Sequence, residues 1–339
     1  MATMDIFNNS AFQTTSLSSM VMKRDFRPQL LGSLNLFNVQ PVRTRSIFVD
    51  RKEGGLTLIP TSADGAPPEV LDKENRSAVS LRTTRLAKRS TLYAHELDGI
   101  RAFGSETELM AVQREFATRV DRLNEDMELT HEHHRLGALQ GVLLDADGTT
   151  VIFDYSTEFN EAIPAATSFE LDVAGTDVHG ITKNIARSMG RSGKGALAGA
   201  SIHAIAGDDF YDALVSHPNL EKFYLNQQAA NQLREDQGRI FESFKVGAIT
   251  FHNYQGTDDN STVAVATNEC KIFPVGARDV FNVAYSPLES MQFVNTPGQR
   301  IYAMTIPDRE RNMWMQAEVY SYPLFYCQRP SVLRKGTLT

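Results

Sequence analysis

Four groups of residues have the types and spacing that chemistry needs. The most specific is Val142-Leu143-Leu144-Asp145-Ala146-Asp147-Gly148-Thr149, an apolar stretch running into an Asp-x-Asp-Gly-Thr turn. In phosphoryl transfer such a pair divides the work: Asp145 attacks phosphorus, Asp147 moves the proton, and a magnesium ion bridges them. Further on, Gly207-Asp208-Asp209-Phe210-Tyr211-Asp212 offers acids for a metal, with Lys194 between the two sites. Gly190-Arg191-Ser192-Gly193-Lys194-Gly195 has the glycines and cations of a phosphate cradle. Finally, His131-Glu132-His133-His134 sets two imidazoles three residues apart on one helical face, a spacing zinc accepts.

Each group meets an objection. A haloacid-dehalogenase-type magnesium phosphatase, with Asp145 as nucleophile, is the enzyme reading of the first. That fold holds its nucleophile strand inside a parallel sheet with helical crossovers. Here Asp147-Gly148 leads straight into the alternating run Thr149 to Tyr155, which reads as a hairpin turn. Only about sixty residues separate the two acidic sites, tight for three crossovers of roughly thirty each. In the glycine loop, Ser188 stands where a Walker loop needs its first glycine, and Gly195 where it needs Ser or Thr. The histidines lack HExxH spacing and a third ligand, and read instead as complements to a helix C-terminus. Asp145-x-Asp147 fails as a calcium loop because Thr150 occupies the sixth position. Cys270 and Cys327 are too few for a disulfide framework or a zinc knuckle, and fit a reducing compartment. No catalytic residue, cofactor or metal is assigned.

The elements that would position these groups say more. The chain has 339 residues, 42% of them hydrophobic, with a net charge of -7. That is mass for one or two domains with a real core, and a charge that argues against a dedicated nucleic-acid binder. No apolar run approaches a membrane span, and Met1 to Phe12 has no signal-peptide pattern. Residues 1–42 scatter apolar side chains without a period, so they need another surface to lie on. Ile47-Phe48-Val49 and Leu56 to Ile59 flank Lys52-Glu53-Gly54-Gly55, which predicts a hairpin. Ser77 to Arg85 alternates like a strand. Lys73 to Arg89 carries Lys73, Arg76, Arg82, Arg85, Lys88 and Arg89 against Glu74, a local +5. With so little apolar content, 43–101 reads as an extended two-stranded arm, because an isolated hairpin is marginal in water.

The firmest expectation is a helix over 106–136. It opens on the capping box Ser105-Glu106-Thr107-Glu108 and carries Leu109, Val112, Phe116, Val120, Leu123 and Met127 at spacings of three and four. Gly137 is its expected stop. Downstream, helices are predicted around Ile181 to Met189, Asp208 to Val215 and Leu220 to Arg234. Strands are predicted at Ser201 to Ala206, Phe244 to Tyr254, Val263 to Ala266, Cys270 to Val275 and Phe281 to Tyr285. A long strand, Met313 to about Phe325, closes the chain, with Arg309 and Arg311 before it. Helices and strands intersperse without a βαβ rhythm, so the class is α+β.

This pattern resembles the major capsid protein E family of lambda-like tailed phages, which have the Hong Kong 97-type (HK97-like) capsid fold. The likeness rests on Phe48-Val49-Asp50-Arg51, Leu58-Ile59-Pro60, Gly65-Ala66-Pro67-Pro68, Glu96-Leu97-Asp98-Gly99-Ile100-Arg101-Ala102-Phe103-Gly104, Leu144 to Thr149, Asp154 to Phe159 and Tyr320-Ser321-Tyr322-Pro323-Leu324. It implies an N-arm at 1–42, an extended loop at 43–101 and a peripheral domain at 102–165, with the spine helix 106–136. An axial domain at 166–284 and peripheral strands at 285–339 complete it. It further implies a virion protein without enzymatic activity, assembled in the bacterial host cytoplasm. Hexamers and pentamers would form an icosahedral head enclosing double-stranded DNA without sequence-specific binding, and the procapsid would expand on packaging. Its partners would be itself, a scaffolding protein, a portal and a decoration protein, with no membrane. Inter-subunit contacts are expected at Lys73, Arg76, Arg82, Arg85, Lys88, Arg89, Lys52 and Glu53, because a cationic arm complements an acidic neighbour.

Overall fold

The computed structural model describes residues 30–53, 75–97, 108–220, 243–254, 256–257 and 263–339. Its organising element is the helix Glu108–Gln140, 33 residues and so about 50 Å long. Phe116, Val120, Leu123 and Met127 are buried on its first half, as their spacing predicts. The helix does not stop at Gly137 but at Gln140, where Gly141 turns left-handed at φ 83°. Gly137 serves packing instead: a Cβ there would lie 3.0 Å from the Val142 carbonyl oxygen and 3.2 Å from Leu143 Cα.

Under the first half of the helix lies an antiparallel sheet of Tyr302–Pro307, Trp314–Ser321 and Leu86–Tyr93, in that order. It contributes Leu92, Ala303, Met315, Ala317 and Val319 to the shared core. Under the second half lies another three-stranded sheet. There Asn38–Pro41 runs parallel to Phe281–Tyr285, which runs antiparallel to Pro323–Cys327. The expected long strand 313–325 is therefore two strands in two sheets, parted by Tyr322. Pro323 lacks an N–H and sits where a strand begins, while the Tyr322 carbonyl accepts from the Ser286 N–H at 3.0 Å.

A six-stranded sheet forms the other body of the molecule. Its order is Thr167–Ser168, Arg334–Thr337, Glu269–Val275, Ser201–Ala206, Ile249–Asn253 and Ser243–Val246. Helices Val178–Ser192 and Asp208–Ser216 cover it, closing a core of Phe169, Ile185, Met189, Phe210, Leu214 and Phe251. The predicted strand 244–254 is a hairpin with Gly247 at φ 59° in its turn. Among the described residues, Val263–Ala266 joins no strand: Val263 and Val265 are buried, so their alternation records burial. The expected helix 220–234 falls outside the described residues beyond Leu220. The last strand, Arg334–Thr337, belongs to this sheet, and Phe281–Tyr285 does not.

Candidate assembly surfaces

The strand Ser46–Glu53 pairs antiparallel with Asn75–Arg82 over eight positions, Ser46 opposite Arg82 and Lys52 opposite Arg76. The hairpin partner expected across Gly54-Gly55, Leu56 to Ile59, lies outside the described residues. Because side chains alternate across a strand, the ladder has two unlike faces. Ile47, Val49, Val79 and Leu81 face the body and pack near Tyr285 and Phe325. Ser46, Phe48, Asp50, Ala78, Ser80 and Arg82 face outward, and Phe48 is 74% exposed.

The cationic stretch is divided between two elements. Ladder and sheet strand meet at Thr83-Thr84-Arg85, where the Thr83 N–H donates to the Arg45 carbonyl at 2.9 Å and the Thr84 N–H to the Pro323 carbonyl at 3.0 Å. So the expected strand through Arg85 ends at Arg82. Lys88 and Arg89 stand on Leu86–Tyr93, the edge of the sheet beneath the long helix. Charge on such an edge discourages unwanted strand pairing. Lys88 reaches Asp126 on the helix at 2.5 Å, and Arg85 reaches Glu289 at 3.4 Å, both within the subunit. Arg45 also pairs with Glu289 and lies over the Tyr322 ring at 4.7 Å. Arg82 and Arg89 have no ion partner among the described residues. Lys52, Glu53 and Arg76 are placed by backbone pairing alone, and Lys73 lies outside the described residues.

The second half of the long helix holds a cluster that includes His131, Glu132 and His134, whose burial and ion pairing sequence reasoning missed. Glu128, His131, Glu132, His134 and Arg135 are all buried. Arg135 Nη1 donates to Glu132 at 2.8 Å and Nη2 lies 3.9 Å from Glu128, which also pairs with Arg300. The Leu31 N–H donates to Glu132 Oε1 at 2.9 Å, so this carboxylate ties the segment Leu30–Ser33 to the helix. His131 Nε2 lies 2.9 Å from Ser321 Oγ, whose hydroxyl donates to the Arg300 carbonyl at 2.6 Å. A cavity of about 390 Å³ lies beside this cluster, lined by Leu36, Phe37, Arg135, Tyr285, Arg300 and Phe325 among others.

Burial raises the Glu132 carboxyl despite Arg135 beside it. Burial also works to raise Glu128, but the His131 hydrogen bond and the charges of His131, Arg300 and Arg135 hold it below its ordinary value. Burial lowers His131 and His134, the latter to about 3. Buried imidazoles inside a helix that continues to Gln140 do not complement a helix end, so the expected macrodipole role is replaced by packing. The available signal was position: 128, 132 and 135 continue a helical stripe at spacings of four and three.

The remaining motifs take ordinary structural roles. Among the described residues, Val142–Leu144 pairs only with Val151–Asp154, antiparallel, so Asp145 does not follow a strand of a parallel sheet there. Asp147 Oδ1 accepts from the Thr149 and Thr150 N–H groups at 2.9 and 2.8 Å. The Thr150 hydroxyl and these amides hold its carboxyl far below the usual range, which suits a turn acceptor rather than a general acid. Among the described residues, no three His, Cys, Asp or Glu gather as a metal site, and no helix is long and apolar enough to cross a membrane. Cys270 and Cys327 are free and buried, and burial pushes the Cys327 thiol up to about 12.

Comparison with known proteins places this arrangement. Residues 13–338 match the model of the family described as phage major capsid protein E. The major capsid protein of Salmonella phage Felix O1 is 23% identical over 333 residues, spanning 89% of this chain and 90% of the relative. That of Pseudomonas phage KPP10 is 22% identical over 296 residues, spanning 82% and 84%. Among solved structures, a chain described as a prophage capsid protein of E. coli CFT073 superimposes with a TM-score of 0.60 at 13% identity. It is matched over 99% of its length and 96% of this chain. A chain of the mature capsid of bacteriophage PhiM1 gives 0.52 at 10% identity, over 89% of its length and 94% of this chain.

Proposed function

We propose a shell-building role, on the premise that this chain belongs to the phage major capsid protein E family. Its fold is the Hong Kong 97-type of phage capsid chains, and the protein is a capsid component of a tailed-phage virion. Copies assemble as hexamers and pentamers of an icosahedral head, built in the host cytoplasm, that encloses double-stranded DNA and expands on packaging. Residues 1–42 act as the N-arm, and 43–101 as the extended loop apart from Leu86–Tyr93, which joins the peripheral sheet. Residues 102–165 with 285–339 act as the peripheral domain, and 166–284 as the axial domain, which takes in Arg334–Thr337 and yields Phe281–Tyr285 to the peripheral part. A scaffolding protein, a portal and a decoration protein are the partners this role brings with it.

The observation that carries the reading is the two-faced ladder 46–53/75–82. One face is fixed to the body by Ile47, Val49 and Leu81, while the other presents Phe48 and Arg82 without cover. A bulky exposed aromatic on an extended ladder suits a contact that a neighbouring copy completes. Point substitution is the clean test, because Leu86–Tyr93 belongs to the sheet under the helix. The wild-type chain should give closed shells by electron microscopy, whereas Phe48→Asp with Arg82→Glu should give folded subunits without shells. A wild-type chain that stays monomeric at high concentration, or normal shells from the double variant, overturns the proposal.

A further inference from the structure

We propose that the outer face of helix Val178–Ser192, continued by Lys194, is a docking rail for the phosphate backbone of double-stranded DNA. Residues 178–207 hold Lys183, Arg187, Arg191 and Lys194 and not one acid, inside a chain of net charge -7. The inner face of the helix is fully occupied: Val178, Thr182, Ile185 and Met189 are buried, and the Ser188 and Ser192 hydroxyls turn to Arg334. The outer face carries Lys183, Arg187 and Arg191, all exposed and four residues apart, so successive cations rise about 6 Å each. Exposed Lys194 follows on a left-handed backbone at φ 44°. None of the four has an ion partner among the described residues.

Like charges at i,i+4 destabilise a helix, and only Arg191 lies in the last turn, where a cation is favoured. The stripe therefore does not serve the helix itself. Beside it, His179, Lys183, Ala186, Arg187, Gly247 and Ala248 line an open hollow of about 460 Å³, with room for a phosphate beside two cations. The surface has little relief: Cβ atoms added at Gly190, Gly195 or Gly199 would meet nothing within 4 Å. The core of a protein interface would carry Phe, Tyr or Trp and few lysines, and none of these three interrupts the stripe. Duplex DNA instead offers a negative charge about every 1.7 Å of its axis, which a smooth row of point charges can follow without reading sequence. The sequence lacks a Walker loop, but cations alone suffice for a backbone.

The source of that DNA rests on the shell reading, so shell formation is scored separately. The full-length chain, kept unassembled, is titrated with a short duplex of arbitrary sequence between about 50 and about 200 mM salt. Four engaged cations give a slope of log affinity on log salt near -3.6, at about 0.9 per phosphate. The triple variant Lys183→Gln, Arg187→Gln, Arg191→Gln should lose about 2.7 of that slope. The charge-keeping triple Lys183→Arg, Arg187→Lys, Arg191→Lys should keep it. An unchanged slope in the glutamine triple overturns the proposal, as does equal loss in both triples. Failure of the glutamine triple to form shells, with its slope unchanged, reassigns the stripe to a contact between copies. If the wild type forms no shells yet shows the slope and its loss, the shell reading fails and the rail stands.

Discussion

Between Phe116 and Met127 the long helix lays four apolar side chains on a single sheet. Between Glu128 and Leu139 it lays two carboxylates, two imidazoles and a guanidinium among a second sheet, the six-stranded body and the segment Leu30–Ser33. The first half rests mainly on area, which hydrophobic burial supplies without direction. Its polar exceptions are Arg119, which donates to the Thr91 carbonyl and pairs with Glu96 and Glu115, and the buried Asn124. The second half is a junction, and junctions need direction: each buried polar group there must meet a named partner or be left unsatisfied at a cost. Register between the bodies is thus set by charge pairs and hydrogen bonds, while the adhesion of helix to sheet is set by packing.

Breaking that contrast starts with Arg135. Arg135→Met leaves Glu132 without its cation in the interior, while Glu128 keeps Arg300; removing one partner of a buried pair costs about 3–5 kcal/mol. A fall in denaturant midpoint at unchanged m should report it. A loss no larger than that of Leu123→Met would erase the distinction between the halves.

Acid sharpens it next. Burial, then the charges of His131 and His133, push His134 down to about 3, against about 6.5 in the unfolded chain. Between those values the unfolded state takes up more protons, so stability is full above about pH 6.5 and falls as pH drops toward 3. At about pH 5 the loss from this group is about 2 kcal/mol. His134→Gln should flatten that part of the profile in an unfolding series across pH.

The first half should be forgiving. Leu123→Met conserves volume in a core that asks only for volume, and should cost less than about 1.5 kcal/mol in the same unfolding assay. The smallest effect belongs to the exposed pair Lys88 and Asp126. Asp126→Asn should cost under about 1 kcal/mol, with the difference vanishing at high salt.

The same contrast explains what was legible in the chain. Phe116, Val120, Leu123 and Met127 announce their helix because its periodicity is local. Ser201–Ala206 and Phe281–Tyr285 announce strands for the same reason. The burial of Glu128, Glu132 and His131 was not legible, because their partners Arg300, Leu31 and Ser321 lie a hundred residues or more away. Charged residues on a helix read as a solvated face until those partners are known. The basic stretch 73–89 looked like one arm because charge has no period, and only the bonds from Thr83 and Thr84 to Arg45 and Pro323 divide it. The DxDGT residues were legible as a turn, since Asp147 and Gly148 carry that chemistry locally.

Tyr322 alone separates a strand of one sheet from a strand of the next. Its ring is buried with Leu288 and Tyr302 and capped by the Arg45 guanidinium. A twist of either sheet must therefore pass through one pair of torsions held on every side, with no slack loop to absorb it. Mechanically the two sheets are geared together, and a load applied at the root of the arm, where Arg45 sits, is felt by both at once.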